Sequence, residues 1–162
     1  MPRKITLDFI RPGEEESVVA LILDVFDRHV APCFLERGIT EFRKYANVEA
    51  LAGRLEAGAV VVAARVSGGL AGVAEVRRYR HLGMLFVDSS RQRQGIGGAL
   101  IRKVLEICSA HEGETPVLTV NASPNATGFY ESMGFTVRGP EQTLNGIRFV
   151  PMDYALNAKN TK

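Results

Sequence analysis

The residues of this chain best suited to hold a ligand form the run Gln92-Arg93-Gln94-Gly95-Ile96-Gly97-Gly98. Backbone N–H groups at the start of a helix have no partner of their own, and the helix dipole makes that end positive. Glycines there let a ligand approach the backbone closely. Such a turn suits a phosphate when a strand precedes it and a helix follows. Both are predicted here. Met84-Leu85-Phe86-Val87 reads as a buried strand; beyond the glycines Ile101, Val104, Leu105 and Cys108 share one helical face, with Arg102, Lys103 and Glu106 opposite. A nucleotide P-loop is excluded, because Ala99 and Leu100 stand where that loop needs lysine and a hydroxyl. The dinucleotide fingerprint fits poorly, since its third glycine is Leu100 here and the glycines begin well past the strand.

A third class fits the letters. Gln92-x-x-Gly95-x-Gly97, after a strand ending Leu85-Phe86-Val87, resembles the acyl-CoA signature of the GNAT superfamily of N-acyltransferases. Asn125-Ala-Thr-Gly-Phe-Tyr130-Glu-Ser-Met-Gly134-Phe135 resembles that family's second signature. The resemblance implies that the turn from Gln92 through Arg93, Gln94, Gly95, Ile96 and Gly97 to Gly98 holds the coenzyme A pyrophosphate. It also implies that Leu85, Phe86 and Val87 take the pantetheine arm where two strands splay apart. Asn125 would then contact coenzyme A, and Tyr130 would sit near the thioester sulfur as a general acid. Arg93 stands where many members carry glycine, which is tolerable if its backbone is in an ordinary helical region. Acetyl-CoA is the expected acyl donor, with no metal.

The chemistry of amine acylation sets its own demands. An aliphatic amine with a lysine-like pKa of about 10.4 is an ammonium ion at neutral pH and must lose a proton before it attacks. A base, or waters leading to one, is therefore needed. Glu75 lies in the apolar strand Ala71-Gly72-Val73-Ala74-Glu75-Val76, where burial would raise its pKa; the alternative is a carboxylate paired with Arg77 or Arg78. His81 precedes the cofactor strand and is either a base titrating near neutrality or a solvated turn histidine. Phe42 and Tyr45, in an irregular segment between two helices, are either a substrate-facing wall or ordinary packing.

Charge and composition narrow the partners. The formal charge is only +2, but Arg77 to Lys103 holds seven Arg/Lys against the single acid Asp88. That excess suits a small polyanion such as coenzyme A. Without interleaved aromatics or a docking motif it does not describe a nucleic-acid surface. No apolar run approaches membrane length. Cys33 and Cys108 are in no metal spacing, and Cys108 falls on an apolar helix face as a core thiol. A reducing cytoplasm is the expected location, and the sequons at Asn121 and Asn125 are then chance matches.

The elements that must position these residues can be taken in order. Ile5–Phe9 alternates as a first strand. A helix from Glu14 buries Val18, Ile22, Val25, Phe26 and His29, with His29 read as a helix-end residue rather than a ligand. Residues 31–45 show no clear period. Asn47 caps a second helix that stops at Gly58. Strands are expected over 59–66, 70–78 and 82–87, with a bend near Arg80, and a further strand runs from Pro116 to Val120 parallel to the cofactor strand. Ser123-Pro124 starts a helix with the hydroxyl as cap, Asn145-Gly146 signals a type I′ hairpin, and Pro151 marks an edge or bulge in the last strand. The whole predicts an α/β (α+β) fold: a mixed, mostly antiparallel central sheet of about six or seven strands flanked by helices, with a splayed parallel pair. One GNAT-like domain is expected over 1–156 and a disordered tail over 157–162. An exposed final strand would allow a homodimer. The expected function is transfer of the acetyl group of acetyl-CoA to a small-molecule or peptide amine; a non-catalytic module that senses acyl-CoA or binds a protein is the alternative.

Overall fold

The computed structural model describes residues 4–111 and 117–156. In chain order these form β1 (Ile5–Phe9), α1 (Glu15–Val25), α2 (Glu36–Tyr45), α3 (Val48–Glu56), β2 (Val60–Val66), β3 (Gly69–Arg77), β4 (His81–Val87), α4 (Ile96–Ala110), β5 (Val117–Ala122), α5 (Thr127–Ser132), β6 (Thr136–Val137), β7 (Gln142–Leu144) and β8 (Ile147–Ala155). The eight strands make one sheet in the order β1-β2-β3-β4-β5-β8-β6, with β7 also on β8. All pairs are antiparallel except β4 with β5. This is the mixed sheet with one parallel pair that the sequence predicts.

The apolar run of β2 is buried on both faces because helices cover both. On one side Val61, Val73 and Met84 meet Val18, Ile22 and Leu51 from α1 and α3. On the other, Val62, Ala64, Ala74 and Val76 meet Leu100, Ile101 and Val104 of α4. Cys108 belongs to this second layer, and burial pushes its thiol up to about 11, as a core thiol requires. Arg65 is the charged exception in β2, only 5% exposed; it donates to both oxygens of Glu14 at 2.8 Å and to Asp8 at 3.0 Å. Hydrogen bonds from Arg65 and from the Arg11 amide hold the Glu14 carboxyl near 2, and the pair ties the start of α1 to the sheet.

Several expectations fail for local reasons. Residues 36–45 form a regular helix. Its period is hidden in the sequence by Gly38, which is a point of close approach rather than a breaker. A Cβ at Gly38 would lie 2.3 Å from the Gly146 carbonyl oxygen, in the β7–β8 turn. Gly38→Ala is therefore expected to cost about 1–3 kcal/mol by forcing the hairpin off α2; urea denaturation reads the loss, and an unchanged midpoint would contradict the contact. The buried face of α1 stops short of His29: a π-helical turn covers Phe26–Val30 and leaves His29 exposed, with Nε2 3.2 Å from Ser89 Oγ. Ser123 does not cap its helix; its hydroxyl donates to Asn125 Oδ1 at 2.9 Å.

The last strand is not an edge. β8 lies between β5 and the short β6 and β7, so among the described residues the final strand is not an exposed edge for pairing between subunits. Pro151 sits inside β8, where the outer partner changes from β7 to β6. Its carbonyl accepts from Arg138 on that outer side, so the missing N–H faces the change of partner and takes nothing from the β5 ladder. Asn145 and Gly146 do form the hairpin turn, with φ of 54° and 82°. Pro116 and the tail after Leu156 lie outside the described residues.

Candidate active site

β4 and β5 pair only at His81 with Thr119 and Leu82 with Val120, and then part. Gly83 is the extra residue of a bulge in β4, since Glu75 faces Met84 while Val76 faces Leu82. Asp88 N–H donates to Ala71 on the β3 side at 2.8 Å. Main-chain groups alternate along a strand, so those of Leu85 and Val87 face the gap and those of Phe86 face β3. The gap opens into a cleft of about 790 Å³ that reaches from the start of α4 to the space between α2 and the β7–β8 hairpin.

At one end of the cleft is the glycine-rich turn. Gln92 Nε2 donates to the Val87 carbonyl at 2.9 Å and stitches the loop back onto β4. Gly95 takes φ +83°, and Ile96 then enters the core and starts α4, whose N-terminus has no side-chain cap. Gln92, Arg93, Gly95, Ile96, Gly97 and Gly98 line the cleft, whereas Gln94 does not. The condition for arginine in place of glycine is not met at Arg93: its φ is +66°, not an ordinary helical value. A side chain in the left-handed region costs roughly 1–2 kcal/mol, the cost glycine avoids at such a position.

Tyr130 comes from α5, packed edge-on between Phe129 at 5.2 Å and Phe135 at 5.3 Å. It is 6% exposed and lines the cleft, and its hydroxyl has no hydrogen-bond partner among the described residues. Burial raises the phenol above its ordinary range, which keeps it a proton carrier at neutral pH. Asn125, exposed at the cleft wall, accepts the Ser123 hydroxyl.

The two candidate bases prove different in kind. Glu75 is 3% exposed, but both oxygens are held by Arg54 of α3, at 2.5 Å from Nε and 3.1 Å from Nη2. Its partner is thus neither Arg77 nor Arg78. Arg54 also donates to the Tyr45 carbonyl at 2.8 Å, so the pair locks α3 and the end of α2 to β3. His81 Nδ1 is 2.8 Å from Thr119 Oγ1, whose proton goes to the Arg80 carbonyl. The hydroxyl therefore accepts from Nδ1–H, which leaves Nε2 as an acceptor. Burial, with the Arg77 guanidinium adding to it, pushes His81 down to about 4, so it is neutral at pH 7 rather than titrating there.

Phe42 is both wall and packing. It stacks on Phe26 at 3.9 Å, meets Phe86 edge-on, and faces the cleft; Tyr45 lines the same side at 53% exposed. The structure adds lining residues that sequence reasoning did not reach: Arg54 and the hairpin residues Leu144 to Phe149 except Gly146. They come from segments far apart in the chain, and nothing in their local pattern marks them.

Comparison with known proteins defines the class. Residues 30–156 match the family model described as an acetyltransferase (GNAT) domain, and the chain belongs to the GNAT family of acetyltransferases. Family membership makes it an acyltransferase. No curated protein matches it significantly. Among solved structures it is similar to a GCN5-related N-acetyltransferase from Rhodopseudomonas palustris, with TM-score 0.80 and 21% identity over 96% of this chain and 99% of that one. It is also similar to the PaiA N-acetyltransferase from Thermoplasma acidophilum, solved with coenzyme A, with TM-score 0.76 and 16% identity over 94% and 99%. An aminoglycoside 6'-N-acetyltransferase, also solved with coenzyme A, follows with TM-score 0.69 and 12% identity over 96% and 99%. At these identities the likeness is one of fold. No helix among the described residues is long and apolar enough to cross a membrane.

Proposed function

We propose that this protein transfers the acetyl group of acetyl-CoA directly to an amine. One observation carries the reading: a single cleft contains strands that have parted and no longer pair, an uncapped helix start behind glycines, and a buried phenol without a partner among the described residues. Each would serve a different part of a long, phosphate-bearing thioester. The amides from Gly95 to Gly98, with Arg93 beside them, would hold the pyrophosphate. The main chain at Leu85 and Val87 would take the amide-bearing arm as an added strand and offer a donor to the thioester carbonyl. Coenzyme A in two structures of the same fold supports this use of the cleft.

Tyr130 gives its proton to the departing sulfur and regains one from solvent. His81 is too weak a base to strip an ammonium ion by itself. Its Nε2 instead accepts a hydrogen bond from the amine once a proton has passed to water, and so orients the lone pair. Glu75 keeps the cleft wall in place through Arg54.

The test is thiol release from acetyl-CoA by the purified protein with a panel of amines, followed by mass spectrometry of the products. Amine-dependent release with an acetylated product is the expected result. Coenzyme A binding with no release above the protein-free control would leave a non-catalytic module.

A further inference from the structure

The acceptor half of the cleft carries its own chemical specification. Its charged lining is Arg54, Arg77 and Arg148 against Glu41 and Glu75. Most of these are already satisfied. Arg54 takes Glu75, Arg148 takes Glu141 at 2.6 Å, and Glu41 takes Lys44 at 2.7 Å. Arg77 forms no ion pair among the described residues. Arg77 is an exposed residue at the end of β3 whose side chain also lines the cleft. It pairs with His81 across the β3–β4 ladder, and its guanidinium lies over Gly83, where an added Cβ would stand 3.4 Å from Nε. Gly83 is the bulged residue next to the point where β4 leaves β5. The guanidinium therefore lies within van der Waals reach of Gly83, at the mouth of the parted strands.

That guanidinium is not placed for the pyrophosphate. Gly83 is four residues before Val87, roughly 13 Å along an extended strand, and the glycine-rich turn lies further on. Around the acceptor space Phe34, Phe42 and Phe149 supply apolar surface. On the outer side the backbones of Gly38 and Gly146 touch, which ties α2 to the hairpin over the cleft. A polycationic amine finds no surplus of acid here.

We propose that the acceptor is a small amine that also carries a carboxylate, an amino acid with an apolar side chain, and that Arg77 grips the carboxylate. The inference rests on the N-acetyltransferase reading above. The planar fork of arginine matches a carboxylate with two parallel hydrogen bonds. The transfer forms the amide C–N bond and breaks the thioester C–S bond. Of the three ammonium protons, one stays on the amide, one ends on the thiol and one is released.

The experiment compares L-phenylalanine and L-leucine with L-phenylalaninamide, phenethylamine and spermidine, using acetyl-CoA and thiol detection. A charge-assisted pair of about 1.5–3 kcal/mol corresponds to roughly ten- to hundredfold in kcat/KM. The expected ratio of kcat/KM for phenylalanine over phenethylamine is therefore at least about tenfold. Arg77→Gln should collapse that ratio toward unity and Arg77→Lys should restore part of it, while KM for acetyl-CoA stays the same in both. Equal rates with and without the carboxylate, preference for spermidine, or a ratio unmoved in Arg77→Gln would overturn the inference and leave the acetyltransferase reading standing. If no amine releases thiol, that reading fails instead. Calorimetry of phenylalanine with the coenzyme A-saturated protein then decides: binding lost in Arg77→Gln supports the carboxylate site, and no binding to the unsubstituted protein overturns it.

Discussion

Gly97→Glu is expected to weaken coenzyme A binding by at least about a hundredfold, as read by calorimetry. The position is in the first turn of α4, and a Cβ there would lie 3.3 Å from the Phe129 ring, a tight contact that a small side-chain shift relieves. The carboxylate is what matters. Two unit charges about 4 Å apart at an intermediate effective dielectric repel by roughly 4 kcal/mol, and each phosphate carries its own charge. A glutamate in the first turn also favours the helix dipole, so the variant should fold as well as the parent. Loss of binding would then be assignable to the cradle and not to unfolding. Gly97→Ala is the control, with binding reduced far less. Retained affinity in the glutamate variant would remove the turn from the binding site.

Tyr130→Phe should lower kcat by about a hundredfold or more, the usual scale for a positioned acid, with coenzyme A affinity nearly unchanged. The hydroxyl makes no hydrogen bond among the described residues, so its removal leaves no orphaned partner. The ring keeps its edge contacts with Phe129 and Phe135, and no cavity opens. Thermal stability should hold or rise slightly, because a buried unpaired hydroxyl is costly. A variant that loses coenzyme A affinity in proportion to turnover would make this tyrosine a structural residue only.

How much of this was legible depends on how far apart in the chain the partners lie. The cradle could be read because strand, loop, glycines and helix are contiguous from Met84 to Cys108 and each leaves its own local mark. The hairpin at Asn145-Gly146 is equally local. Glu75 could be singled out as a carboxylate in an apolar strand, but its partner Arg54 lies on a helix 21 residues away, with no spacing rule to connect them. The helix of residues 36–45 was hidden by a glycine whose reason is a backbone contact with Gly146. For Arg93 the sequence leaves the backbone open, because local pattern does not report the sign of φ; the folded loop is left-handed there. His81 was recognisable as titratable; its displacement from neutrality comes from burial and from Arg77, both products of the folded sheet.

The parting of β4 from β5 also bears on how the molecule resists deformation. Strands β1–β4 and β5–β8 are two half-sheets, joined in main-chain hydrogen bonding along a seam only about two residues long. Beyond it, side chains from α4 and α5 bridge the halves without any ladder between them. Such a seam is a natural line for tilting, since opening it further breaks few directional bonds. A ligand lying in the gap and bonded to both lips would act as the absent rungs. Stiffness across the middle of this protein would then be set by what fills the gap, and not by the chain alone.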